Sequence, residues 1–155
     1  MRHTFLYIGM MTAMLLTIAC QQATVYYHYE HMDADGWDRV DTIHFFIPPV
    51  DDSGSYEASI GLRINADYPF QDLSIVVNQT RLPVRDTRNE TQVFQLVDNL
   101  GNARGQGISE YQYLSSLKAL QLQKGDSLHV CIYHDMRREI LKGVTDIGYR
   151  LRKIK

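Results

Sequence analysis

The chain has 155 residues, of which 45% are hydrophobic and 22% charged, an ordinary globular mixture that excludes a disordered tail or a collagen-like fibre. Its 16 Lys and Arg against 18 Asp and Glu give a formal charge of -2, so no overall basic field is present to hold nucleic acid by its phosphates. The 2 cysteines cannot build a disulfide framework.

In chain order, the first element is an export signal. Arg2 supplies a positive start, and Phe5 to Ala19 is an apolar run too short for a comfortable bilayer-spanning helix, which needs about 20 residues. The run ends in Thr17-Ile18-Ala19-Cys20, small residues before a cysteine, and resembles the lipobox at which a bacterial signal peptidase cuts and the cysteine is acylated. Residues 1-19 are therefore expected to be removed. Residues 20-155 then form one domain, tethered through acyl chains on Cys20 and partly strand-forming over 20-30. Gln21 and Gln22 follow the cysteine with no acidic pair close behind, so the domain is expected to face the periplasm.

The mature chain reads as strands. From Ser55 to Asn65, Tyr56, Ala58, Ile60, Leu62 and Ile64 alternate with polar or small residues, which gives one buried face and one wet face. The same two-residue period recurs at Ile43, Phe45 and Ile47, at Leu73, Ile75 and Val77, and at Phe94 and Leu96. It returns at Leu128, Val130 and Ile132, then at Ile147, Tyr149 and Leu151. Turn clusters separate these runs, and no connection is long and helical enough for a parallel crossover, so the expectation is an all-β antiparallel sandwich of about eight strands. Tyr111 to Leu122 also suits a helix, and Asp135 to Leu141 has room for one helical turn.

Charge is unevenly placed along the chain. Glu30 to Glu57 holds eight acids against Arg39 alone, whereas Arg137 to Lys155 holds seven bases against Glu139 and Asp146. This reads either as solvated loops or as two oppositely charged docking surfaces. Arg137, Arg138 and Lys142, together with Arg150 and Arg152, are the candidate partner-binding residues. Arg63, on the wet face of its strand, is a candidate to pin two strands if Asp146 or Asp86 lies opposite. Tyr68-Pro69-Phe70 fits a tight connection in which two aromatics cap the end of the sandwich.

Several groups that suggest chemistry are incomplete. Asp33-Ala34-Asp35-Gly36-Trp37-Asp38 clusters carboxylates, but its Gly stands fourth and no bidentate Glu follows, so a plain turn is favoured over weak Ca2+ binding. His129 and Cys131 share a strand face, with His134 on the opposite face. That is half a zinc site with no second pair to complete it, and no metal or other cofactor is expected. There is no Gly-x-Ser-x-Gly elbow, and the glycine-rich run Gly101 to Gly107 opens no helix after a parallel strand. The reading is non-enzymatic.

Specific strings resemble a family. Arg63-Ile64-Asn65-Ala66-Asp67-Tyr68-Pro69-Phe70-Gln71-Asp72-Leu73 is similar to a segment of the gliding-motility lipoprotein GldH family, as are Asp86-Thr87, the Gly101 to Gly107 loop and, most specifically, Met136 to Gly148. The resemblance is collinear from Cys20 to the carboxyl terminus, with departures at Ala103, where tryptophan is common, and at Asp72, where Asn is usual. It implies an outer-membrane lipoprotein that acts with other gliding lipoproteins of the type IX secretion and motility machinery, in assembly or stabilisation, without catalysis. The other class is a sandwich module binding a glycan or small ligand through stacked aromatics. Tyr26, Tyr27 and Tyr29 alternate faces and cannot all stack on one ligand, which favours assembly. Asp41-Thr42-Ile43 and Asp126-Ser127-Leu128 resemble Asp-Ser/Thr-apolar glycosylation sites of such bacteria, at Thr42 and Ser127.

Overall fold

The computed structural model describes residues 24-154. The signal segment, Cys20 and Lys155 lie outside the described residues. Within them every regular element is a strand: β1 (Thr24–His31), β2 (Trp37–Asp38), β3 (Ile43–Ile47), β4 (Gly54–Asn65), β5 (Asp72–Leu82), β6 (Asp86–Gln95), β7 (Glu110–Ser116), β8 (Leu120–Leu122), β9 (Ser127–His134), β10 (Ile140–Leu141) and β11 (Val144–Lys153). A five-stranded sheet runs β1-β11-β4-β7 with β8 also on β4, a four-stranded sheet runs β3-β9-β5-β6, and β10 pairs with β2 in a two-stranded ribbon. All pairings are antiparallel.

The period-two runs become the inner faces. Tyr56, Ala58, Ile60 and Leu62 of β4 and Ile147, Tyr149 and Leu151 of β11 are fully buried, facing Leu73, Ile75 and Val77 of β5 and Val130 and Ile132 of β9. One hydrophobic core fills the space between the sheets. A polar contact crosses it: Gln79 Nε2 of β5 donates to the Tyr149 hydroxyl of β11 at 2.8 Å. Burial pushes that phenol well above its ordinary value, so it stays neutral and able to hydrogen-bond.

Eleven strands rather than about eight arise because short ribbons lack enough alternation to show in the sequence. The stretch from Tyr111 to Leu122 is β7 followed by β8, not a helix. Tyr111 and Tyr113 lie opposite the inward Ile64 and Leu62 of β4, and that ladder outweighs the helical spacing of Leu114 and Leu117. Asp135 to Leu141 forms no helical turn; it ends in β10, held by Ile140 and Leu141 opposite Asp38 and Trp37. The outer face of β4 is drier than alternation implies. Ser59 is buried there, with Arg150 Nε donating to its Oγ at 3.1 Å, and Tyr29 covers Gly61.

Candidate functional site

The end of the sandwich where β4 finishes and β11 begins is built on a fixed platform. Trp37 of β2 is buried, donates its indole N–H to the Asp41 carbonyl at 3.0 Å, and meets the buried His134 ring edge-on at 5.1 Å. Burial holds the His134 imidazole below its ordinary value. Tyr68 closes the corner after β4: its side chain is buried and its hydroxyl donates to the Asp72 carbonyl at 2.8 Å, with the Phe70 ring edge-on at 5.7 Å. Gly143, at φ +83, turns the chain into β11, and a Cβ placed on it would lie 2.2 Å from the Tyr68 backbone nitrogen. Only glycine allows that approach.

An open groove of about 610 Å³ lies on this platform, lined by Pro69 and Phe70 and by Arg137, Arg138 and Lys142. Two strings separated by more than sixty positions in the chain thus meet in one surface feature. Arg137, Arg138 and Lys142 are exposed. Asp35, Asp67 and Glu139 line the same groove. The segregation of charge along the chain is therefore not a segregation in space. Pairing of β2 with β10 folds the acidic segment onto the basic one, with the Arg39 amide donating to the Glu139 carbonyl at 2.7 Å, and the groove is bipolar.

Arg150 and Arg152 are not part of it. Both lie on the outer face of the five-stranded sheet toward the far end of β11, where Arg150 bonds Ser59 and Arg152 is ion-paired and hydrogen-bonded to Glu57. The Arg152 guanidinium holds the Glu57 carboxyl below its ordinary value. Asp146 stands directly opposite Arg63 in the β11–β4 register, with Arg63 Nη1 3.9 Å from Asp146 Oδ2, and His31 Nδ1 lies 3.3 Å from the other carboxylate oxygen. The Arg63 contact is an ion pair at the edge of range rather than a bidentate fork. Asp86 pairs instead with Arg81 at 3.6 Å.

Arg63 has a second partner that the sequence did not suggest. Its guanidinium carbon lies 4.4 Å from the Tyr29 ring centroid, and that ring lies flat over Gly61 and Gly148, which face each other across β4 and β11. Two glycines on facing strands were the available signal, but only the register makes them neighbours. Burial, followed by a hydrogen bond with Tyr27, pushes the Tyr29 phenol up to about 12. Tyr26 points the other way, toward Tyr149 in the core, with ring centroids 6.4 Å apart.

The remaining candidates are placed as follows. Asp38 directs its carboxylate to the Val40 amide at 3.0 Å, as an Asx-type turn does. Thr42 is exposed, whereas Asp126 beside Ser127 is buried and accepts from the Gln123 amide at 2.9 Å. On the outer face of the four-stranded sheet, His129 and Cys131 of β9, read from the sequence as half a zinc site, are joined by His44 of β3, which the sequence did not suggest. Burial pushes the Cys131 thiol up.

Residues 24–151 match the sequence profile of the family described as GldH lipoprotein. The chain belongs to the GldH lipoprotein family. It is 24% identical over 149 residues to the gliding motility lipoprotein GldH of Flavobacterium johnsoniae, covering 92% of each chain. It is 22% identical over 162 residues to the gliding motility lipoprotein GldH homolog of Christiangramia forsetii, covering 99% of this chain and 98% of that one. Among solved structures it is similar to the globular domain of zebrafish complement 1qA protein, at 8% identity over 87% of this chain and 98% of that one, with a TM-score of 0.48. It is also similar to Eiger TNF from S. frugiperda, at 13% identity over 86% and 94% of the two chains, with a TM-score of 0.38. Scores this low add nothing to the family assignment, which rests on the profile. Membership makes this a lipoprotein of the bacterial envelope.

Proposed function

We propose that this lipoprotein is a non-catalytic assembly component of a gliding-motility or type IX secretion apparatus, held in the outer membrane by acylated Cys20 with its domain in the periplasm. It docks other envelope lipoproteins through the groove lined by Pro69-Phe70 and Arg137-Arg138-Lys142. The observation that carries this reading is where the groove lies. β1 leaves the anchor side at Thr24, which pairs with Arg152, and reaches His31, which pairs with Asp146 at the groove end. Eight residues at about 3.3 Å each put the groove roughly 25 Å from the start of the first strand, which supports a groove held clear of an anchor at Cys20. A bipolar groove with an aromatic wall suits a protein partner, whose charges it can orient while Phe70 supplies apolar contact.

The arrangement of the first tyrosines favours assembly over glycan binding, since of the three only Tyr27 is left exposed. Of the first tyrosines, Tyr26 faces the core, and the Tyr29 ring is already covered by Arg63 on one face and lies on glycines with the other.

The test is Arg137→Glu combined with Arg138→Glu. Both residues are exposed and make no ion pair among the described residues, so the melting temperature stays nearly unchanged. Recovery of envelope partners from detergent-solubilised membranes falls, more so at low salt. A variant that binds normally, or one that loses binding only because it has lost stability, overturns the docking assignment.

A further inference from the structure

On the outer face of the four-stranded sheet, three soft or borderline donor atoms converge. His44 stands opposite Cys131 in the β3–β9 register, and His129 lies two positions before Cys131 on the same face of β9. His44 Nδ1 is 3.1 Å from His129 Nε2 and 3.3 Å from Cys131 Sγ, and Cys131 Sγ is 3.6 Å from His129 Nε2. The three atoms form a closed triangle. Hydrogen bonds alone cannot fill it, because each ring nitrogen has a single in-plane direction, an N–H or a lone pair, and so cannot form two linear bonds within the triangle. One cation set above the plane of the triangle comes within ligand distance of all three.

The spacing also excludes a trans arrangement. With Zn–N of about 2.0–2.1 Å and Zn–S of about 2.3 Å, a tetrahedral ion sets two nitrogens about 3.3 Å apart and nitrogen and sulfur about 3.5 Å apart. A square-planar ion would put one of the three pairs trans, about 4.1 Å or more apart. The longest separation here is 3.6 Å, so no pair is trans. We propose that His44, His129 and Cys131 form a zinc-class metal site with three protein ligands and a fourth position open to solvent.

Its surroundings fit. The Phe46 ring stacks on His129 with centroids 4.6 Å apart and planes 4° from parallel, which fixes the orientation of that imidazole and shields one side of the site. Asn78 faces Cys131 from β5, and its side-chain oxygen is buried without a partner. It is an acceptor available on the same face. The metal displaces the thiol proton on binding, as thiolate ligation requires. Because β3 is an edge strand held only by β9, a metal bridging His44 to Cys131 pins that edge and covers part of it. The site is on a sheet face, apart from the groove, and does not depend on the docking reading.

The experiment is Co2+ titration of the full-length chain in detergent after chelation, followed by competition with Zn2+. The wild type gives a thiolate-to-cobalt charge-transfer band and the strong visible bands of a tetrahedral ion. One equivalent of Zn2+ abolishes both, and zinc raises the melting temperature. Cys131→Ser removes the charge-transfer band, and His44→Ala weakens zinc binding by about tenfold or more and reduces the rise in melting temperature at a given zinc concentration. His44 is exposed, so that variant keeps its fold, and its melt in chelator matches the wild type. Absence of the band in the wild type, its survival in Cys131→Ser, or unchanged zinc affinity in His44→Ala overturns the site.

Discussion

Gly143 and Gly125 occupy nearly the same backbone conformation, at φ +83 and +89, in opposite surroundings. A Cβ on Gly125 meets nothing within 4 Å, whereas one on Gly143 meets the Tyr68 nitrogen at 2.2 Å and the Asp67 carbonyl carbon at 2.7 Å. Replacement by alanine costs both sites the left-handed penalty of about 1–2 kcal/mol. Gly143→Ala must also push apart two backbone segments, the corner at Tyr68 and the turn into β11, and forced displacement in a packed region costs about 1–3 kcal/mol more. Its total is then about 2–5 kcal/mol, a large share of a typical domain stability of about 5–15 kcal/mol. Chemical denaturation of both variants beside the wild type measures the difference directly. Gly143→Ala should show a midpoint shift at least about twice that of Gly125→Ala, and partner recovery should fall with it, because the overlap joins two of the chain segments that line the groove. Equal shifts would mean that the Tyr68 corner and the Lys142-Gly143 turn are not in contact, and the groove would lose its foundation.

Ile60→Asp should unfold the domain, since Ile60 is fully buried on the inward face of β4 and an unpaired charge there costs several kcal/mol; a folded variant by circular dichroism would overturn the register. Cys20→Ala should release the chain from membranes or leave it uncleaved, and unchanged fractionation with normal processing would exclude the anchor. His134 titrates below its ordinary 6.5 because it is buried, so its neutral form is favoured by folding. The unfolded chain therefore takes up the proton first, and stability is full above the unfolded pKa and declines as pH falls toward the folded one. Melts between about pH 7 and about pH 5.5 should show this decline in the wild type and less of it in His134→Asn, and an identical decline in both would assign it elsewhere.

The parts of this structure legible in the sequence are those governed by a local period. Ile43, Phe45 and Ile47, or Leu128, Val130 and Ile132, alternate because one face of each strand is buried, and that pattern survives without knowledge of any partner strand. Tyr68, Pro69 and Phe70 were readable as a corner for the same reason: Pro fixes φ and the contact made by the Tyr68 hydroxyl is only four residues away. What was not legible depends on register. Sequence alone offers both Asp146 and Asp86 to Arg63 and favours Asp146, and only the β11–β4 ladder sets Asp146 opposite it. Gly61 and Gly148 carry no signal separately and become a bed for Tyr29 only as neighbours.

The same dependence explains both functional features. Summing charge along the chain gave an acidic segment and a basic one, yet the β2–β10 ribbon, too short to show any period, interleaves them in a single groove. His129 and Cys131 looked like half a metal site because their spacing on one strand is local, while His44 is 85 residues away from His129 in sequence. On an antiparallel sheet a one-residue slip of β3 would send His44 to the core face and dissolve the triangle. The inward row of Ile43, Phe45 and Ile47 forbids that slip, because it would also drive Phe46 and the His44 imidazole into the core in place of three apolar side chains. The packing that makes the sandwich stable is therefore what holds the three donor atoms together, and loss of the metal should leave the fold intact while loss of the inward row should abolish both.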